Sequence, residues 1–103
     1  MGRVADKAET PELRRLRRRI DALDRKIVAL LNERAELGRA VGREKAANGR
    51  RAIRDVERER EVLLRVTMAN TGPTPQGDLL AVYRRLMAVT RALESRDRKR
   101  SNG

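Results

Sequence analysis

Apolar residues recur in the first half of the chain at Leu13, Leu16, Ile20, Leu23, Ile27 and Leu30, and again in phase at Leu37 and Val41. Steps of three and four are the period of one helix face. Thr10-Pro11 opens the run as an N-cap followed by proline at the first helical position, and Asn48-Gly49 stops it. The pattern predicts a helix from about Glu12 to about Lys45. A second segment, about Ile53 to Ala69, places Val56, Leu63, Leu64 and Val66 on one face and ends at the breaker Asn70-Thr71-Gly72-Pro73. A third opens at Thr74-Pro75 and carries Leu79, Leu80, Val82, Tyr83, Leu86, Met87, Val89 and Leu93. It is expected to fray into a basic tail after Ser95. There is no strand pattern and no internal repeat. The fold class is all-α, with three helices per chain and a long first helix.

The first helix sets the architecture. Its 34 or so residues span roughly 50 Å, whereas a compact domain of this size has a radius of gyration of about 13 Å. The other two helices are too short to cover such a rod. The uncovered seam calls for a second chain, and an intertwined homodimer whose long helices pair is the simplest arrangement. A long two-stranded coiled coil is the rival.

Polar residues stand where the seams demand apolar ones. Extending the first seam past Leu30 lands on Arg34. In the second helix Val56, Glu59, Leu63 and Val66 form a seam with Glu59 inside. In the third, Leu79, Tyr83, Leu86, Thr90 and Leu93 do the same with Thr90 inside, and Glu94 lies one turn beyond it. One polar seam residue can set register in a coiled coil, and an arginine can snorkel outward. An unpaired buried charge costs several kcal/mol, so polar members on all three helices point to a pocket for a charged ligand. Lys45 follows Arg34 by eleven residues, about three helical turns, and faces the same way. Gly38 and Gly42 lie between them, leaving room for something to approach the backbone. Two cations on one wall suit a dianion.

Composition narrows the chemistry. The 103 residues make one domain, marginal as a lone monomer. Without Cys or His there is no disulfide, no thiol nucleophile and none of the commonest metal ligands. Neither cofactor nor metal is expected. No apolar run approaches a membrane span and residues 1–10 lack a signal-peptide pattern, so the expected location is the cytoplasm. The net charge of +11 suits an anionic partner. Seven of those eleven charges, however, belong to residues 1–19 and 91–103, and the middle of the chain is mixed in sign. With Tyr83 the single aromatic residue, there is no stacking platform for single-stranded nucleic acid.

The stretch LRRRIDALDRKIVALLNERAELGRAVGREK, Leu16 to Lys45, resembles the long first helix of the all-helical chorismate mutases. IRDVERERE, Ile53 to Glu61, is similar to the start of their second helix, and LLAVYRRLMAVTRALE, Leu79 to Glu94, to their third. The resemblance runs from about Leu13 to Glu94 and rests on the combination: an arginine early in the first helix, Glu-Arg at its middle, Gly-x-x-Lys near its end, then Arg-Asp-x-x-Arg-Glu. It implies a helical domain over residues 12–96, between basic tails at 1–11 and 97–103. It also implies a homodimer with two sites, each completed by one arginine of the partner chain, and chorismate as the substrate.

Carried over by motif, Arg34 and Arg17 of the partner subunit hold the two substrate carboxylates. Lys45 reaches the ether oxygen and a carboxylate. Asp55 and Glu59 meet the ring hydroxyl, and Arg58 and Thr90 complete the pocket. Glu94 stands where many members have glutamine. Arg17 and Arg34 are seventeen residues apart on one helix, about 25 Å, so they cannot share one small ligand in cis. The implied reaction is an intramolecular Claisen rearrangement to prephenate, an isomerisation in the biosynthesis of aromatic amino acids. It needs no covalent intermediate and no proton transfer, only a compact substrate conformer and a stabilised ether oxygen. An ionised Glu94 cannot donate a hydrogen bond to that oxygen; a protonated one can. Isochorismate-pyruvate lyases share the architecture and use similar cations, and the loop Ala46 to Ala52 is a place where the two reactions could be told apart. A basic helical dimer binding nucleic acid or protein accounts for the charge and the heptads, but not for the polar seam residues.

Overall fold

The computed structural model describes residues 9–50 and 53–102; most of the N-terminal tail, Arg51, Ala52 and Gly103 lie outside the described residues. There are three α-helices, α1 (Pro11–Ala47), α2 (Val56–Ala69) and α3 (Gln76–Asn102), with no strand among the described residues. The chain divides after Arg34, and α1 contributes to both units.

The N-terminal unit ends at Arg34 and consists of the first part of α1. The Thr10 hydroxyl accepts from Leu13 N at 3.0 Å, so it caps the helix as expected. Its seam residues Leu16, Ile20, Leu23, Ile27 and Leu30 are all exposed, Ile20 by 55% and Leu30 by 62%. In the second unit Leu37 and Val41 continue the seam and are exposed as well.

The second unit, from Ala35 on, holds the end of α1 with α2 and α3. α1 stops in a Schellman motif. Gly49 takes the left-handed conformation (φ 76°), Gly49 N donates to Ala46 O at 3.1 Å and Arg50 N to Lys45 O at 2.9 Å. α2 begins at Val56, three residues later than the apolar pattern suggests. Asp55 sits at the N-cap in extended conformation, and its carboxylate accepts from Arg58 N at 3.0 Å, a contact open only to a residue outside the helix. α2 ends at Asn70, whose side-chain oxygen accepts from Gly72 N and whose amide donates to Thr74 O, both at 3.0 Å. Gly72 has a positive φ of 88°.

α3 packs on α2 and on the end of α1. A Cβ on Gly38 would collide with the Thr90 methyl, and one on Gly42 would stand 2.7 Å from Glu94 Cγ. The room at both glycines is therefore taken by α3. The helix continues to Asn102, well past the expected end at Ser95. Two effects extend it. Lys99 and Arg100 lie in the last turn, where cations suit the helix dipole. Asp97 is held by Arg39 of α1 through two hydrogen bonds of 2.9 Å, Nε to Oδ2 and Nη2 to Oδ1. This forked pair is the strong form of an arginine–carboxylate contact. The Arg39 hydrogen bond pulls the Asp97 pKa below its ordinary 3.8, against a partial desolvation, with the charges of Arg39, Arg43 and Arg100 assisting. The same contact pushes Arg39 up.

Two measurements test these joints. Gly to Ala inside a helix gains about 1 kcal/mol of propensity, whereas overpacking costs about 1–3 kcal/mol. Gly38→Ala is thus expected to destabilise by up to about 2 kcal/mol, and to become neutral or stabilising in a Thr90→Ser background that removes the methyl. Denaturant unfolding at one protein concentration reads both; equal effects in the two backgrounds mean the residues are not coupled. For Asp97, a folded pKa below the unfolded value means that its stabilisation is present above about pH 3.8 and lost as pH falls through the lowered folded value. Wild type should melt above Asp97→Asn at neutral pH, and the gap should close in acid. A gap independent of pH would refute the forked pair.

Candidate active site

Lys45 and Glu94 are the buried charged side chains among the described residues, at 8% and 7% exposure. They come from the end of α1 and from α3, and Lys45 Nζ lies 3.4 Å from Glu94 Oε2. Lys45 also donates to the Ile53 carbonyl at 2.9 Å. The Schellman turn makes this possible, because it reverses the chain and brings the segment before α2 back beside the last turns of α1. Glu94 Oε2 is buried and receives no hydrogen bond within the chain. An acceptor in that state is costly unless a further donor reaches it. A cation with donors to spare beside a carboxyl oxygen that lacks one forms a buried polar centre between α1 and α3.

Thr90 lies one turn before Glu94 on α3. Its hydroxyl donates to Leu86 O at 3.1 Å, which leaves the oxygen lone pairs open to accept. Its methyl fills the space over Gly38. Glu59, on the first turn of α2, points to α3: its Oε2 accepts from Arg91 Nη1 and its Oε1 from Arg54 Nε at 3.2 Å. Asp55 is engaged as the α2 cap and stands 3.6 Å from Arg50 Nη2. Arg58 is exposed and pairs with Glu61 at 3.0 Å.

The structure thus brings Lys45 and Glu94 into direct contact, sets Thr90 a turn away on the same helix, and anchors Glu59 to the residue after Thr90. Asp55 and Arg58 meet each other only through the capping bond. In the N-terminal unit Arg17 is exposed and pairs with Glu9 at 2.6 Å, and Arg34 is half-buried. A cleft of about 410 Å³ also opens at the ends of α1 and α3, lined by Arg39, Gly42, Arg43, Ala46, Ala47, Glu94, Asp97, Arg98 and Ser101. Of the predicted residues, Glu94 alone lines it.

Sequence reasoning missed Arg91, Arg39 and Asp97. Arg91 had a faint signal, since it precedes Glu94 by three residues and so shares its side of α3. Arg39 and Asp97 had none, because their contact spans 58 positions in a chain with 22 arginines. Among the described residues no cluster of carboxylates could hold a metal ion, and no helix is long and apolar enough to cross a membrane.

Known proteins share this arrangement of sequence. A sequence model of the chorismate mutase type II family matches residues 16–95. A bifunctional chorismate mutase/prephenate dehydratase of Aquifex aeolicus is 36% identical over 89 residues, 82% of this chain and 24% of its own length. The enzyme of the same name from Stutzerimonas stutzeri is 36% identical over 91 residues, 84% of this chain and 25% of its own. That of Escherichia coli is 49% identical over 51 residues, 50% of this chain and 13% of its own. The chain spans about a quarter of the length of the first two. The matched stretch runs from the exposed seam of α1 through Lys45 to the residue after Glu94, and the chain belongs to the chorismate mutase type II family.

Proposed function

We propose that this chain is a chorismate mutase that isomerises chorismate to prephenate as a cytoplasmic homodimer. The observation that carries the reading is the buried Lys45–Glu94 pair, inside a chain of this family, with a carboxyl oxygen still lacking a hydrogen bond. The relatives are named for a mutase and a dehydratase activity; the mutase is the one proposed here.

In this reading Lys45 turns from Glu94 to the ether oxygen of the substrate as the C–O bond breaks and negative charge grows there. A preorganised cation in a water-poor site acts strongly on such charge. Glu94 reaches the same oxygen as a donor, and for that its carboxyl must carry the proton. Arg34 and Arg17 of the partner subunit clamp the two carboxylates and hold the compact conformer, which supplies the orientation part of the rate. Glu59 and Asp55 accept from the ring hydroxyl, while Arg58 and Thr90 close the pocket. The exposed α1 seam from Leu16 to Leu30 supports the dimer, since so long an apolar stripe is costly in water. The helical separation of Arg17 and Arg34 supports the exchange of an arginine between chains.

The direct test is incubation with chorismate and with isochorismate in the presence of EDTA. Prephenate from chorismate is expected; salicylate from isochorismate alone would replace this reading with the lyase, and inertness towards both would end it. Lys45→Ala should lose on the order of 10²–10³-fold in kcat/KM. Glu94→Gln, a permanent neutral donor of nearly the same shape, should stay active, and Glu94→Ala should be poor. An inactive Glu94→Gln, or a fully active Glu94→Ala, would remove Glu94 as a donor.

Arg17→Ala and Lys45→Ala, each nearly inactive, should recover roughly a quarter of wild-type activity when unfolded together and refolded, because mixed dimers hold one intact site. Heterodimers that form without recovery would place Arg17 outside its partner's site.

A further inference from the structure

Glu59 is held from two sides, and the two sides differ. Arg54 is exposed and only five residues away in sequence; pairs of that kind contribute little. Arg91 is largely covered, comes from a different helix, and bonds the other carboxylate oxygen. The Glu59 side chain itself is 16% exposed. A glutamate near the start of a helix has three side-chain torsions to settle, and a contact across the helix interface is what settles them. Arg91 is also placed by its own helix: it follows Thr90 directly and shares a side of α3 with Glu94 one turn on.

We propose that Arg91 is a positioning residue for the substrate, acting through Glu59. It fixes the plane of the Glu59 carboxylate and leaves one lone pair on each oxygen for an incoming hydroxyl. The ligand feature that it serves is therefore the ring hydroxyl, not the reacting ether oxygen. This rests on the mutase reading and deepens it. A hydroxyl held equally in ground and transition states contributes uniform binding, so losing Arg91 should raise KM and leave kcat nearly unchanged.

The test is a kinetic cycle on chorismate with wild type, Arg91→Ala, Arg91→Lys, Glu59→Gln and the double variant Arg91→Ala/Glu59→Gln. Thermal melts by circular dichroism establish the folded fraction of each. Arg91→Ala is expected to lower kcat/KM by about 10–100-fold, chiefly through KM, as misplacement of a binding group by about an ångström does. Arg91→Lys should restore part of the loss. In the Glu59→Gln background the removal of Arg91 should cost less than about twofold, because the group it positions is already altered.

Equal losses in both backgrounds would overturn the proposal and make Arg91 an independent contact. A lower melting temperature with unchanged kinetics of the folded protein would overturn it too, and leave Arg91 a purely structural link. If Arg91→Ala fails to fold, Arg91→Met keeps the apolar stem and carries the same cycle. Wild type without mutase activity would sink both this proposal and the reading beneath it, whereas an active wild type with an unaffected Arg91→Ala sinks this proposal alone.

Discussion

The contact between Lys45 and Glu94 is the constraint on which the second unit turns. Two ionisable side chains at 8% and 7% exposure have lost most of their water, and each lies against the other. For a side chain as short as glutamate to meet Lys45 from α3, the backbones of α1 and α3 must come very close. Gly38 and Gly42 allow this, one beneath the Thr90 methyl and one beneath the Glu94 stem. The left-handed Gly49 turns the chain sharply enough for the Ile53 carbonyl to accept a hydrogen bond from Lys45. Beyond the pair, the Arg39–Asp97 fork fastens the extra turns of α3 to the same helix. The close approach, the turn and the fork all serve one buried ion pair whose carboxyl is still short of a donor.

The second crossing, Glu59 to Arg91, ties α2 to the same face of α3. The candidate site residues of unit two thus hang on α3 as a common spine: Thr90, Arg91 and Glu94 fall within two turns and meet α1 through the glycines and Lys45, and α2 through Glu59. In the proposed function, these contacts are what lets a chain without His or Cys carry chemistry. A rearrangement within one molecule needs charge and shape held in place, and ion pairs anchored across helix interfaces hold both.

Much of this was legible because it is local. Thr10-Pro11, Asn48-Gly49 and Asn70 to Pro73 mark helix ends by their own backbone and side-chain chemistry, and the structure has caps or turns at each. Arg34, Glu59 and Thr90 stood out as polar members of apolar seams, with Lys45 and Glu94 on the same faces, and each proves buried or half-buried. The start of α2 was misplaced because apolar periodicity begins at Ile53, whereas the helix begins where Asp55 can cap it. The end of α3 was misplaced because a basic tail and a basic last helical turn have the same composition. Which of 22 arginines meets which acid across the fold is invisible to spacing, so Arg39–Asp97 and Arg91–Glu59 needed coordinates. Arg17 was singled out by motif alone; in the single chain it is an exposed residue paired with Glu9.

The central claim is that the buried pair faces the reacting oxygen. The most direct measurement is the calorimetric affinity of a bicyclic ether dicarboxylate that copies the compact transition state, compared between wild type and folded Lys45→Met. Transition-state analogues draw on the interactions that catalyse, so the account predicts a loss of about 100-fold or more in the variant. Equal affinity in the two proteins would contradict it and leave Lys45–Glu94 as a structural pair.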